Sequence, residues 1–168
     1  MSLIKKFRIK SFKEERPIIE IKNLTISYGN RQIVEQLNLS IQNSEICGLL
    51  GPNGAGKSSI YHCIIGLVKP TFGKILIDGI DVTNIPTHVR CTKFGISWVP
   101  QYGGSWSDLN TYENLMAIAE LHISNKEERI TKINNLIRKF ELQNVIKLKS
   151  KFLSGGQVRK LTLAMAMV

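Results

Sequence analysis

The sequence predicts an α/β fold in which an antiparallel β part comes first, a glycine-rich loop joins a buried strand to a helix, and a helical block follows. Three observations carry that reading. Apolar residues alternate through residues 18–41, as half-buried strands require. The continuous apolar run Ile46–Leu50 leads directly into a glycine loop and a helix-periodic stretch. From Thr111 onward, apolar residues recur at helical spacing.

The elements follow in order. Residues 1–17 form a basic arm in which Lys5, Lys6, Arg8, Lys10, Lys13 and Arg16 oppose only Glu14 and Glu15; it reads as a disordered arm or as a surface-binding helix. Pro17 separates it from the domain, residues 18–168. "IIEIKNLTISY" is a strand with Ile19, Ile21, Leu24 and Ile26 as core candidates, and "QIVEQLNLSI" another with Leu37, Leu39 and Ile41 on one face. "EICGLL" is a short strand expected to be buried on both faces. Ser58 to Leu67 reads as a helix with Pro70 beyond its end. "GKILIDG" is a strand closed by an Asp78-Gly79 turn, and "FGISWVPQ" is expected to be a further strand stopped by Pro100. A helical subdomain, residues 102–152, contains helices over Thr111–His122 and Asn125–Phe140, with Asn125 as N-cap and Glu128 three residues on.

Composition narrows the function classes. The 168 residues are 43% hydrophobic and 21% charged, which suits a globular domain with a core of its own. No apolar run approaches the roughly 18 residues that a membrane helix needs, and residues 1–16 lack a secretory pattern, so a soluble cytoplasmic chain is expected. Cys47, Cys63 and Cys91 share no metal spacing and read as small buried hydrophobes. His62, His88 and His122 form no cluster. The net charge of +10 admits nucleic acid or an anionic membrane face, but also a Lys/Ile/Asn-rich composition or acidic residues in a C-terminal part outside the chain. No nucleic-acid partner is expected.

The strongest local signal is "GPNGAGKS", Gly51 to Ser58, which fits G-x-x-x-x-G-K-[ST] between strand and helix. Glycines let backbone N–H groups converge on phosphate oxygens, and the helix N-terminus adds a favourable dipole. Gly51, Pro52, Asn53, Gly54, Ala55, Gly56, Lys57, Ser58 and Ser59 are therefore the candidate cradle for a nucleoside triphosphate. Lys57 supplies a charge for the β- and γ-phosphates, and Ser58 a hydroxyl for Mg²⁺.

A second glycine motif, Leu153, Ser154, Gly155, Gly156 and Gln157, stands directly before a helix whose Val158, Leu161, Met165 and Val168 share a face. Ser154 can cap that helix while Gly155 and Gly156 expose N–H groups at its positive end, a second anion site.

With these two motifs the chain resembles the ATP-binding cassette (ABC) family of transport ATPases, over Ile18–Val168. The resemblance implies a P-loop NTPase-type nucleotide-binding domain with ATP and Mg²⁺ as cofactors. It implies that Tyr28, in "ISYGN", stacks on adenine. It makes Gln101, in "VPQ", the Q-loop glutamine that helps hold Mg²⁺ and the attacking water and couples the site to membrane subunits; Lys57 and Gln101 are the catalytic candidates. In the family two cassettes pack head to tail, and "LSGGQ" caps the γ-phosphate held by the partner's P-loop. Expected partners are thus a second copy and inner-membrane permease subunits, with the chain peripheral on the cytoplasmic face. The family's Asp-Glu strand end and switch His follow "LSGGQ" and cannot be assigned here, so the resemblance implies a cassette missing its C-terminal strands and inactive in hydrolysis by itself.

"GLVKPTFGKILIDGIDVTNIPTHVR", "FGISWVPQ" and "LNTYENLMA" run in an order most similar to the ATPases of lipopolysaccharide export. Branched-chain amino-acid importer ATPases are the alternative, and soluble ABC ATPases acting on nucleic acid or ribosomes a third. In "QYGGSWSDLN", Gly103-Gly104 read as a mobile hinge and Trp106 as an exposed anchor for a membrane subunit or, alternatively, a core residue.

Overall fold

The computed structural model describes the backbone of residues 5–8 and the whole of residues 17–168. The chain divides into two compact units, Met1–Ile96 and Ser97–Val168. The first contains β1 (Lys5–Arg8), β2 (Ile19–Tyr28), β3 (Arg31–Ile41), β4 (Cys47–Leu50), α1 (Lys57–Ile65), β5 (Phe72–Ile77), β6 (Ile80–Asp81) and α2 (Thr87–Phe94). Within it, β3-β2-β5-β6 form an antiparallel sheet and β1 pairs antiparallel with β4. The arm thus contributes a strand over Lys5–Arg8, which neither reading of it anticipated; its other residues before Pro17 lie outside the described ones.

Ile21, Leu24 and Ile26 are buried as expected, yet 21 and 24 differ in parity. A bulge reconciles them. Asn23 adopts φ 49°, and the register against β3 shifts between Ile21 and Leu24, which turns the later apolar residues back to the core. The Asn23 amide donates to Asn38 Oδ1 at 2.9 Å, and Asn38 Nδ2 donates to Asn23 Oδ1 at 3.0 Å, so the polar groups freed by the bulge are satisfied. Gly73 of β5 lies against the same bulge: a Cβ there would come within 2.5 Å of the Asn23 carbonyl oxygen.

α1 and α2 pack with this sheet around Ile60, Cys63, Ile64, Ile75, Ile77 and Val82. Burial drives the Cys63 thiol up to about 11, as expected of a cysteine serving as a core hydrophobe. Arg90 of α2 is almost fully buried and replaces apolar packing with hydrogen bonds. Its Nη1 donates to the Cys63 and Ile64 carbonyls at 2.7 Å each, its Nε to Ile85 O at 2.7 Å and its Nη2 to Thr83 O at 3.2 Å. The guanidinium thereby caps the C-terminal carbonyls of α1, where the helix dipole favours a cation.

Two expectations are corrected here. β4 is not enclosed on both faces: its side chains are half-buried, and Leu50 is 57% exposed, because its strand neighbour among the described residues is the four-residue β1. "FGISWVPQ" is not a strand. Phe94 closes α2, Gly95 caps it with φ 64°, and residues 96–100 have no regular secondary structure. The Asp78-Gly79 turn stands as expected, with φ 50° and 78°.

The second unit holds α3 (Thr111–His122), α4 (Lys126–Lys139), two short 3₁₀ turns and α5 (Gly155–Met165). Asn110 caps α3 in a reciprocal box with Glu113, and Asn125 caps α4 by accepting from the Glu127 and Glu128 amides. The core is Leu115, Ala119, Ile133, Leu136, Ile137, Leu142, Val145, Leu153, Leu161, Ala164 and Met165. Leu161 and Met165 of the expected α5 face are buried, with Val158 and Val168 packed beside them. No helix among the described residues is long and apolar enough to cross a membrane.

Candidate nucleotide-binding site

β4 delivers the chain to Gly51, and the loop turns into α1 through two left-handed glycines, Gly54 at φ 79° and Gly56 at φ 87°. Gly56 is required twice. Besides its φ, a Cβ there would lie 2.6 Å from Val34 Cγ2 and 2.9 Å from Ile33 Cγ2, so the loop can seat against β3 only without a side chain. At Gly54 a Cβ would meet nothing within 4 Å, so that glycine serves backbone conformation and open access. Pro52, Asn53 and Gly54 are exposed, and Ala55 N donates to Pro52 O at 3.3 Å to close the turn.

The α1 N-terminus carries no acidic residue in its first turn and no side-chain cap, leaving its first N–H groups for an anion. Lys57 folds over the loop and donates from Nζ to the Gly51 and Pro52 carbonyls, each at 2.7 Å. Ser58 follows with an exposed hydroxyl. A hard hydroxyl oxygen beside phosphate suits Mg²⁺, which keeps most of its own waters. No group of three or more His, Cys, Asp or Glu side chains able to hold a metal occurs among the described residues. Tyr28, at the end of β2, is 50% exposed, and its hydroxyl donates to Ser59 Oγ at 3.4 Å. Its exposed ring thus stays tied to the first turn of α1.

The second unit brings together the other expected residues. Leu153 is buried and anchors the motif in the core. Ser154 Oγ accepts from the Gln157 amide at 3.3 Å while the Ser154 amide donates to Gln157 Oε1 at 2.9 Å, a complete capping box. The Ser154 hydroxyl proton remains to donate. A Cβ on Gly155 or Gly156 would meet nothing within 4 Å, so packing in this chain does not demand glycine at either position. Their bareness leaves the α5 N-terminus open to an approaching group.

Gln101 is exposed, with Nε2 donating to the Tyr102 hydroxyl at 3.3 Å. Gly103 and Gly104 take φ 71° and 94°, and a Cβ at Gly104 would fall 3.0 Å from Pro100 Cγ and 3.1 Å from Thr162 Cγ2, so close packing also favours glycine there. Trp106 is 48% exposed, between the two alternatives for it. Its backbone is pinned at both ends by the fully buried Asn114, which accepts from the Trp106 amide at 2.8 Å and donates to its carbonyl at 3.1 Å.

Three residues that matter here escaped the sequence reading. Arg90 looks like an ordinary surface charge in a polar stretch. Asn114 sits at the fourth position of a helix, where Asn usually faces solvent. Arg159, two residues beyond "LSGGQ", donates from Nη1 to Pro100 O at 2.7 Å. Its place on the first turns of α5 is visible in the sequence; its distant acceptor is not.

Comparison with known proteins adds the decisive observation. The family model described as "ABC transporter" matches residues 34–168. The chain belongs to the ABC transporter family. Among curated relatives, the lipopolysaccharide export system ATP-binding protein LptB of Haemophilus influenzae is 38% identical over 151 residues, covering 89% of this chain and 62% of that protein. LptB of Escherichia coli K12 is 35% identical over 147 residues, covering 87% of this chain and 61% of that protein. The chain therefore spans about three fifths of the length of these relatives. A solved structure of an ATP-binding cassette of an ABC transporter superposes with TM-score 0.80 at 22% identity, covering 91% of this chain and 65% of that one, and shows the shared fold. The residues matched to the ABC transporter family include the Gly51–Ser58 loop, Gln101 and the Leu153–Gln157 motif; Tyr28 lies before them.

Proposed function

We propose that this chain binds MgATP as the nucleotide-binding part of an ABC transporter, and that the transporter exports lipopolysaccharide. The observation that carries the first part is the strand–loop–helix at Gly51–Ser58, with its left-handed glycines, uncapped helix start and Lys57 over the loop. Lys57 would exchange its two carbonyl acceptors for phosphate oxygens, and Ser58 would face the metal. Mg²⁺, when bound, neutralises charge on the β- and γ-phosphates. Tyr28 offers its exposed ring to adenine, and Gln101 is assigned to the metal and the attacking water through the family resemblance. The open α5 N-terminus supports a role toward a nucleotide carried by a second copy, since among the described residues of its own unit none comes within 4 Å of a Cβ at Gly155 or Gly156. ATP hydrolysis and transport would belong to the pair of cassettes with their inner-membrane permease subunits, on the cytoplasmic face.

The similarity to LptB over most of the chain supports export of lipopolysaccharide. Co-expression of the tagged chain with lipopolysaccharide-export permease subunits, and separately with branched-chain amino-acid permease subunits, tests this. Co-purification from detergent-solubilised membranes with the former alone is expected. Association with the latter alone would replace the export reading by the importer one.

A further inference from the structure

We propose that Arg159 is a positioning residue for Gln101, a latch that makes the 100–104 segment and the N-terminal half of α5 one piece. The proposal rests on the reading of Gln101 as the Q-loop glutamine.

The geometry has three parts, all inside the second unit. Arg159 Nη1 donates to the carbonyl oxygen of Pro100, the residue whose peptide bond begins Gln101, at 2.7 Å. That is a charge-assisted bond to a main-chain acceptor, so it fixes the backbone and leaves the Gln101 side chain free to act. Gly104 lies against both the Pro100 ring and Thr162: a Cβ there would fall 3.0 Å from Pro100 Cγ and 3.1 Å from Thr162 Cγ2. Thr162 is itself buried and donates from Oγ1 to the Arg159 carbonyl at 3.1 Å, which ties the contact back to the latch residue. Downstream of the loop, Ser105 Oγ and Ser150 Oγ lie 2.6 Å apart and the Lys151 amide donates to Ser107 O at 3.1 Å, just ahead of Leu153. The segment carrying Gln101 is thus held to the flanks of the "LSGGQ" motif on both sides. A displacement of the loop would be passed to the Gly155–Gly156 end of α5, and the reverse, through groups that have no direct part in nucleotide chemistry.

Limited chymotryptic digestion of the 168-residue chain tests the latch at the exposed Tyr102. Cleavage there reports the population of locally opened loop. In Arg159→Met, which keeps the aliphatic stem and removes the donor, cleavage after Tyr102 should quicken about three- to tenfold, as loss of one solvent-exposed hydrogen bond implies. Arg159→Lys, which retains a cationic donor, should restore most of the parent rate. Cleavage after Phe72, in the other unit, should not change. An unchanged rate after Tyr102 in Arg159→Met, a Lys variant as fast as Met, or an equal rise after Phe72 would each overturn the latch. The Gln101 reading is tested separately by Gln101→Ala, through the Mg²⁺ concentration required for half-maximal ATP binding. A shifted requirement supports it; an unshifted one overturns it and leaves Arg159 holding a loop of another purpose.

Discussion

The Lys57 ammonium lies 2.7 Å from the Gly51 carbonyl oxygen, closing the loop over its own first residue. The lysine's charge is compensated there by main-chain dipoles. Lys57→Ala removes a charge-assisted contact worth roughly 1.5–3 kcal/mol. ATP affinity measured by calorimetry should fall about tenfold or more. An unaltered affinity would take Lys57 out of the site.

Trp106 presents about half its surface on a loop that Asn114 holds rigid. A preorganised, half-exposed indole suits a protein contact, because little ordering entropy is lost on binding. Trp106→Ala should weaken association with the permease subunits by roughly 2 kcal/mol or more, as for an interface anchor. ATP binding should stay at the parent value. If pull-down of the permease is undiminished, Trp106 is no anchor.

Asn114 bonds four backbone groups: the Trp106 amide and carbonyl and the Leu109 and Asn110 carbonyls. Asn114→Leu preserves volume and strands the Trp106 amide, whereas the Trp106, Leu109 and Asn110 carbonyls keep the Leu109, Ser150 and Asn114 amides as donors. A loss of roughly 1–3 kcal/mol in stability follows from stranding one buried donor and weakening three shared acceptors. Denaturant melts of the chain would register it as a lower midpoint; a midpoint within error of the parent would mean that water replaces the amide at no cost.

Acid should loosen the second unit. The hydrogen bond from Lys151 holds the Asp108 carboxyl below its ordinary range, and that from Lys160 does the same for Glu141. A carboxyl with a lowered folded pKa stabilises the fold at every pH above its unfolded value and loses that contribution as pH falls through the folded one. The melting temperature should therefore decline as pH drops below the usual carboxylate range, modestly because both pairs are exposed. Asp108→Asn with Glu141→Gln should flatten that decline. An unchanged slope would assign acid sensitivity to other groups.

Much of this was legible in the sequence where a local rule decides. The caps at Asn125 and Ser154 follow from short-range hydrogen bonding, and Asn110 caps α3 by the same rule without standing out in the sequence. The Gly51–Ser58 loop follows from backbone conformation. What remained hidden depends on partners distant in the chain. "THVRCTKF" has little apolar periodicity, so α2 was missed; its buried residue is Arg90, which a hydropathy pattern counts as surface. "FGISWVPQ" has strand composition, but a strand also needs a neighbour to pair with, and none is supplied among the described residues. At Gly104 the positive φ is what a glycine-rich stretch suggests, whereas its closeness to Pro100 and Thr162 depends on residues that sequence does not bring together.

Arg90 has a kinetic consequence. Its acceptors are the carbonyls of residues 63, 64, 83 and 85, which lie in separate stretches of chain before α2. No pair of neighbouring segments can satisfy the guanidinium; it is matched only when the end of α1, the 83–85 turn and α2 have all arrived. Such an interaction forms late, so its strength acts as a brake on leaving the native state and gives little help in reaching it. In stopped-flow chevrons, Arg90→Met should steepen neither arm; it should lift the unfolding limb and leave the refolding limb in place.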